Sequence, residues 1–375
     1  NSELLNDQRG SWGFDTTLSK TKMDVKTVSP RMNWTSDHDA YSNNLTVGYD
    51  WSDWGYSRHA DNNGFWGGPY GSMRFENGSQ DNEALYFQNE TLLASGTKLV
   101  VGARREYIKQ KQQARSLQPE VSTKYSLTSN EISLQQDLGQ GYSVYGRTGR
   151  SYRVANIDEN RCFAAPCPSY LKPQKSNDHE VGVEWLGKST TFRASYFRFD
   201  IEDEIHFNRL AGAVGSNINL SPTRRDGFEL QVASKKVGDF DLGATYARTR
   251  AKFRSGTYGG VNVSGNEVPL VPRERLGLNI GWQATQKTRA TLNLMYVGSQ
   301  HYDNDQANRF RKMPSYSVTD LRVSHLVGRW TLAFGVNNLF DKKYYSYGIV
   351  NSTYTSFNAY PEDRRNAYVS AEYRF

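Results

Sequence analysis

Apolar and polar residues alternate along most of this chain, and no other feature restricts its fold as strongly. Near the C-terminus the alternating apolar positions are Ala367, Val369, Ala371, Tyr373 and Phe375. The same two-residue period recurs in segments 330–336, 290–296, 276–282, 240–246, 228–232, 192–196, 181–185 and 45–51. Because residues i and i+2 lie on the same face of a β-strand, this period indicates strands with one apolar face. No segment shows a comparable helical stripe, so the sequence predicts an all-β protein.

The polar face of these strands distinguishes a packed sandwich from a membrane barrel. It carries charged and amide side chains: Arg289, Asn293, Asn279, Asp241, Glu229, Gln231, Arg193, Glu180 and Glu184. A packed core excludes so many, because each buried polar group without a partner costs about 2–7 kcal/mol, whereas a water-filled lumen solvates them. The apolar face often ends in an aromatic residue, as in the girdles of outer-membrane barrels. The predicted fold is a transmembrane antiparallel β-barrel.

The links between strands support this fold and indicate its orientation. Counting back from Phe375, the pattern indicates about sixteen strands, each close to the length that crosses a bilayer at a tilt. The short links are 327–329, 283–287, 236–239, 186–188, 139–141 and 94–96. The long links are roughly 344–365, 299–314, 250–273, 202–224, 151–178 and 58–81. Short periplasmic turns opposite long extracellular loops are typical of Gram-negative outer-membrane barrels. We therefore predict one barrel domain over residues 1–375.

Several motifs resemble those of TonB-dependent outer-membrane receptors. Residues 335–345, GVNNLFDKKYY, resemble the penultimate-strand motif of that family and precede a long loop and a last strand ending in Phe375. Residues 145–153 with 156–159 resemble its mid-barrel strand and following loop. Segments 171–176 and 180–182 resemble the descending partner strand, and 224–230 and 271–273 are weaker matches. The resemblance covers about residues 140–375 and is carried by the order of the motifs.

The resemblance also implies a longer protein. The resemblance implies a barrel of about 22 strands whose lumen is closed by a plug domain. A plug domain and a short energy-coupling box precede the barrel, and no plug-like segment is present in this chain. The sixteen strands are then expected to be the last sixteen, with the plug and further strands before Asn1. The alternative is that some strands are uncounted and that the plug alone is absent. A diffusion porin with an open channel is the other functional hypothesis.

The implied function is TonB-dependent uptake of a scarce metal chelate, a ferric siderophore, or of cobalamin. The implied partners are the ligand and the TonB energy-coupling complex, which acts through the plug. Aromatic and cationic loop residues are the candidates to stack on a planar ligand or pair with an anionic one. They are Arg225, Tyr258, Tyr302, Arg309, Arg311, Tyr347, Tyr354 and Tyr360. No cofactor is implied.

Catalysis and metal binding have no support in the residue pattern. The chain has six histidines, His38, His59, His179, His206, His301 and His325, and no two have the spacing of metal ligands. Outer-membrane barrel proteases and lipases make an enzyme the third hypothesis. No recognisable motif combines a Ser or Asp with a His as a catalytic pair, so we predict that the protein is not an enzyme and has no metal site.

Two cysteines and the net charge complete the expectations. Cys162 and Cys167 lie in one long loop, and close cysteines outside the cytoplasm usually form a disulfide. So small a ring stiffens a loop tip and adds little stability to the barrel.

The net charge of the chain is +7. The sequence lacks the basic cluster interleaved with aromatic residues that is typical of nucleic-acid binding. Lipopolysaccharide phosphates and anionic ferric chelates are the expected partners of the excess cations.

Overall fold

The computed structural model describes residues 2–10, 13–62, 72–113, 120–157, 159–160, 170–208, 215–351 and 353–375. In chain order its strands are β1 (Ser2–Gly10), β2 (Gly13–Val28), β3 (Arg31–His38), β4 (Tyr41–Asn62), β5 (Ser72–Leu93), β6 (Thr97–Gln113), β7 (Val121–Gly139), β8 (Tyr142–Arg153), β9 (Gln174–Leu186), β10 (Thr190–Glu202), β11 (Ile205–Asn208), β12 (Ser216–Asn219), β13 (Thr223–Val237), β14 (Phe240–Phe253), β15 (Thr257–Tyr258), β16 (Val261–Asn262), β17 (Glu274–Thr285), β18 (Thr288–Val297), β19 (Tyr316–Val327), β20 (Trp330–Asn337), β21 (Tyr345–Val350), β22 (Phe357–Pro361) and β23 (Asn366–Tyr373). These described residues include no helix long and apolar enough to span a membrane.

Among the described residues, seventeen strands form one antiparallel sheet in which chain neighbours pair. The exceptions are the hairpins β11–β12, β15–β16 and β21–β22, which form separate two-stranded sheets within the links. Strands β2 and β3 run end to end along β4, because Val28 pairs with Trp51 and Arg31 pairs with Gly48. Proline has no N–H for a β-ladder, so Pro30 interrupts this edge without changing its path. Counting β2 and β3 as one path, the sheet has sixteen, as the sequence predicts.

The short turns lie where the alternation predicts them. The strands meet across 94–96, 140–141, 187–189, 238–239, 286–287 and 328–329, all at one end of the sheet. Gly141 shows why small residues occur there. Its φ is +82°, and a Cβ at this position would lie 2.2 Å from the carbonyl oxygen of Leu186. Only glycine fits this combination of left-handed backbone and close approach.

The two faces of the sheet differ as predicted. On the apolar face, Phe334 is 50% exposed and Val369 is 79% exposed. At the short-turn end this face carries cross-strand aromatic pairs: Tyr142–Trp185, Phe240–Trp282 and Trp330–Tyr373, with ring centroids 5.9, 6.2 and 5.0 Å apart. The polar face carries ion pairs, such as Arg193 with Glu180 at 3.1 Å and Arg289 with Asp241 at 2.8 Å. Exposed apolar side chains on one face and solvated charges on the other fit a lipid face and a lumen face.

Strand length divides the sheet into two regions. Strands β4 and β5 have 22 residues each, β6 has 17 and β7 has 19. We call β4–β7 the tall wall, because about 9–11 residues suffice to cross a bilayer. Strands β18 and β20 have 10 and 8 residues. The predicted long link 58–81 is therefore too wide, since β4 continues to Asn62 and β5 begins at Ser72. Polar residues on both faces above the bilayer hide the two-residue period there.

Candidate ligand-binding site

The long links after β10, β14, β18 and β20 pack against one another. We call the described residues of segments 203–222, 254–273, 298–315 and 338–365 together the loop cap. Its first apolar cluster contains Leu220, Ala251, Phe253, Tyr258, Val263 and Val268. Its second contains Tyr302, Met313 and Val350, with Leu270, Phe310, Tyr345, Tyr354 and Phe357 packed against it. The cap therefore has its own hydrophobic core, which also includes Ala251 and Phe253 at the end of β14.

Asp305 organises the segment between β18 and β19. Its carboxylate is fully buried and accepts backbone N–H bonds from Arg309 at 2.8 Å and Phe310 at 3.1 Å. The ring of His301 lies 3.1 Å from the same carboxylate. Charge-assisted bonds to backbone N–H groups are among the stronger ones in proteins. They hold a compact turn in which Asn308 has a φ of 53°, a conformation that asparagine tolerates better than most residues.

Tyr302 and Tyr258 are core residues of the cap in this conformation. Tyr302 is fully buried, its hydroxyl lies 2.7 Å from that of Tyr345, and its ring centroid is 4.8 Å from that of Phe357. Tyr258 is 5% exposed, and its hydroxyl lies 2.7 Å from Asn208 Oδ1. Burial raises the pKa of both phenols. Both sequence-predicted tyrosines thus contact protein on every side, and their role toward a ligand stays a prediction.

Tyr347 and Tyr360 face each other across the β21–β22 hairpin, with ring centroids 5.3 Å apart. The Tyr347 hydroxyl donates to Asp303 Oδ2 at 2.6 Å. Burial, with this bond to an anion, raises the pKa of Tyr347. Tyr360 is 60% exposed. Of this pair, Tyr347 links the hairpin to the 298–315 segment, and Tyr360 presents an open ring to solvent.

Arg309 and Arg311 supply exposed cations on the aromatic surface of the cap. The Arg309 guanidinium lies 6.0 Å from the ring centroid of Tyr354, and that of Arg311 lies 5.3 Å from the centroid of Phe357. Neither arginine forms an ion pair with a carboxylate in the part of the chain that the structure describes. Stacked guanidinium groups keep donors free for an anion. Among the predicted site residues, Arg309, Arg311 and Tyr360 are exposed, and Tyr354 is half-buried against the core of the cap.

Arg225 lies apart from that set. It belongs to β13, its side chain is 18% exposed, and its guanidinium donates to both oxygens of Glu204, at 2.7 and 3.0 Å. Thr223 donates to the same carboxylate at 3.3 Å. The pair ties β13 to the 203–222 segment at the base of the cap. Its cation is already neutralised by a carboxylate, which leaves it poorly suited to hold an anionic ligand.

Sequence reasoning missed the polar links between the segments. His206 Nε2 lies 3.6 Å from Asp303 and 2.8 Å from Gln306 Nε2. Glu267 lies 2.6 Å from Lys312 Nζ and 3.7 Å from His301 Nε2. Burial disfavours the Glu267 carboxylate, but hydrogen bonds from Lys312 and Arg273 hold its pKa below the ordinary value. These residues come from three separate links, and no spacing in the sequence relates them.

Two further predictions concern disulfide and metal chemistry. Cys162 and Cys167 lie outside the described residues, so the disulfide stays a prediction. Among the residues that are described, no three His, Cys, Asp or Glu side chains come together in an arrangement able to hold a metal ion.

A long antiparallel sheet with an apolar outer face, a charged inner face and loops gathered at one end defines an outer-membrane barrel wall. The chain belongs to the TonB-dependent receptor-like β-barrel family, whose model matches residues 2–339. This match confirms the family that the C-terminal motifs indicate and extends it to the N-terminal strands. Its members are outer-membrane receptors, so the predicted localisation and the prediction of a non-enzyme are also confirmed.

Known relatives are similar over part of their length. The catecholate siderophore receptor Fiu of Escherichia coli K12 is 27% identical over 210 residues, which cover 55% of this chain and 26% of that protein. The heme/hemopexin utilization protein C of Haemophilus influenzae is 26% identical over 272 residues, 68% of this chain and 35% of that protein. The unliganded ferric citrate transporter FecA superposes with a TM-score of 0.79 at 19% identity, over 98% of this chain and 57% of that one. The chain thus spans well under two thirds of the length of these relatives.

Proposed function

We propose that this chain supplies the wall and the extracellular loops of a receptor for TonB-dependent uptake of a ferric siderophore. The observation that carries the ligand class is the pair of exposed, carboxylate-free arginines on the aromatic surface of the loop cap, Arg309 and Arg311. A ferric siderophore is commonly a bulky anion with planar chelating groups. Guanidinium groups can pair with the negative charge of such a ligand, and the exposed ring of Tyr360 can stack on its planar groups.

The names of the relatives favour the same ligand class. They include a catecholate siderophore receptor and a ferric citrate transporter, alongside a heme utilization protein and a copper transporter. Cobalamin was the second expectation from the sequence, and none of these names includes it. It stays an alternative for the experiment to test.

In this proposal the TonB energy-coupling complex acts through a plug domain, which the resemblance places ahead of the barrel. The present residues then position the ligand and surround its path. A diffusion porin is the competing proposal. The family match favours a receptor, because a porin needs neither a coupling partner nor a high-affinity surface at its outer mouth.

The test uses the full-length receptor that contains this barrel, purified in detergent. Binding of a ferric tris-catecholate, ferric citrate, heme and cyanocobalamin is measured by quenching of tryptophan fluorescence. We expect an anionic ferric chelate to bind, and Arg309→Ala with Arg311→Ala to weaken it more than tenfold, since a few central Arg and aromatic contacts usually carry most of an affinity. Tyr360→Ala is expected to weaken it less.

The matched control is Arg329→Ala, which removes another exposed arginine, at the short-turn end, and should leave affinity unchanged. If cyanocobalamin is the only compound that binds, the proposed ligand is a corrinoid and not a ferric siderophore. Absence of any binding, together with steady ion conductance of the full-length protein in a planar bilayer, would support the porin instead.

A further inference from the structure

The β11–β12 hairpin has two faces that contact different parts of the molecule. In its register His206 pairs with Ile218. Because successive side chains of a strand point to opposite faces, His206, Asn208 and Ile218 share one face of the hairpin. Asn217 and Asn219 share the other. The contacts of the two faces are therefore considered separately below.

The first face packs into the loop cap. His206 Nε2 lies 2.8 Å from Gln306 Nε2, and Gln306 is fully buried. Asn208 Oδ1 accepts a hydrogen bond from the Tyr258 hydroxyl at 2.7 Å. Ile218 packs against the first apolar cluster of the cap. This face of the hairpin is held by polar and apolar contacts with two other links.

The second face holds the link between β8 and β9. Asn217 Nδ2 donates to the carbonyl of Glu159 at 3.0 Å. Asn219 forms a pair of hydrogen bonds with Lys172, because its Oδ1 accepts from the Lys172 N–H at 2.9 Å and its Nδ2 donates to the Lys172 carbonyl at 2.9 Å. Asn219 Nδ2 also donates to the carbonyl of Asp203 at 2.8 Å. Both ends of this side-chain amide are thus used to join the two links.

Part of that link covers the inner face of the tall wall. We call residues 154–157 and 159–160 the cover. Gln112 Nε2 of β6 donates to the carbonyl of Ile157 at 3.3 Å. Among the described residues, none of the apolar clusters includes a residue of the cover. The cover therefore depends on its contacts with the wall on one side and with the hairpin on the other.

We propose that the β11–β12 hairpin couples the loop cap to the cover, so that opening of the cap releases the cover from the inner face of the wall. The contacts form a continuous series from Gln306 through His206 to Asn217 and Asn219. The cap has an apolar core and the cover has none, so the cap stays closed when the cover alone opens. An event at the extracellular surface can then change the wall of the lumen. The proposal is independent of the ligand that the receptor transports.

The test uses the full-length receptor in detergent and measures hydrogen exchange by mass spectrometry with residue resolution. The reporters are the amides of Asn156, Glu159 and Asn160, whose N–H groups are bonded within the cover and not to the hairpin. Tyr302→Ala removes a side chain from the second apolar cluster of the cap, which contains no cover residue. We expect the reporter amides to exchange at least fivefold faster in this variant, because local opening sets their exchange.

A second pair of variants tests the route. Asn217→Ala with Asn219→Ala removes the contacts between the hairpin and the link, and should by itself accelerate exchange of the reporter amides. Adding Tyr302→Ala to this pair should then accelerate them less than twofold further, since coupled sites give non-additive effects. The matched control is Asn351→Ala, which removes an amide bonded at both ends within the turn of the β21–β22 hairpin. It should leave exchange of the reporters within twofold of the parent.

Folding of each variant is checked by its heat-modifiable mobility in detergent gels. If Tyr302→Ala or the asparagine pair does not fold, Tyr302→Leu and Asn217→Ala alone take their places in the same comparison. Unchanged reporter exchange in the Tyr302 variant overturns the proposal. So does an equal acceleration with and without the asparagines, which would show that the cap acts on the cover by another route.

Discussion

The tall wall and the loop cap both extend beyond the membrane, and they are stabilised by different interactions. The wall continues as strands, so its backbone groups remain paired in the ladders of β4–β7. The cap rises from shorter strands and depends on side chains such as Tyr302 and Asp305. A ladder tolerates most side-chain changes, because the backbone supplies its hydrogen bonds. A core built from a few large side chains is destabilised when one of them is removed.

Some loop residues pack against the tall wall, but its backbone hydrogen bonds are already made within the ladders of β4–β7. The cover, residues 154–157 and 159–160, lies against the inner face of the wall, where Gln110 is fully buried and donates to the carbonyl of Ala155 at 2.8 Å. Ile157 packs onto Gly78, where an added Cβ would come within 2.6 Å of Ile157 Cδ1. The glycine leaves the space that the isoleucine fills. We therefore expect the wall to stay folded when its cover is lost, whereas the cap should open when its core is lost.

The largest expected effect is that of Tyr302→Ala in the cap. Removing a fully buried aromatic side chain costs about 3–5 kcal/mol, because the cavity collapses only in part. Hydrogen exchange followed by mass spectrometry should show faster exchange in segments 298–315 and 345–361, with 97–113 unchanged. Tyr302→Phe keeps the ring and removes the hydroxyl with its contact to Tyr345, and should cost about 1 kcal/mol. Faster exchange throughout the wall would contradict the independence of the two regions.

A smaller effect is expected for Ile157→Ala, at about 2 kcal/mol, since the side chain is buried but its site can relax. The loss should be confined to the cover. Exchange should rise in 154–157 and remain slow in β5 and β6, because their ladders do not require the isoleucine. As a control, Val154→Ala changes a less buried residue of the same segment and should have little effect. If β5 and β6 open with the cover, the wall also depends on side-chain packing.

The smallest effect concerns mild alkali. Tyr258, Tyr302 and Tyr347 all have pKa values raised above the ordinary value, chiefly by burial. A raised folded-state pKa contributes stability that is complete below the unfolded value of about 10 and is lost as the pH rises above it. Near pH 10.5 the cap should therefore exchange slightly faster, and the wall should not. Ultraviolet titration should show these three phenols ionising only as the cap opens, and their ionisation in the closed cap would be the contrary result.

The sequence by itself determined the all-β fold, the number of strand paths, the positions of the turns and the family. These features depend on a period of two and on short motifs, which are local properties of the chain. The alternation through Leu332 and Phe334 assigned them to the lipid face, and the structure agrees. The length of β4 and β5 beyond the membrane was not readable, because side chains solvated on both faces carry no period.

Only the tertiary structure decided which loop residues are accessible. Tyr302 and Tyr360 look alike in the sequence, yet one is fully buried and the other is 60% exposed. The pairing of Arg225 with Glu204 and the contact of His206 with Asp303 depend on which links meet above the sheet. The order, length and twist of the strands determine which links come into contact. The burial of a loop side chain is thus a property of the neighbours it meets in space, which its own segment does not encode.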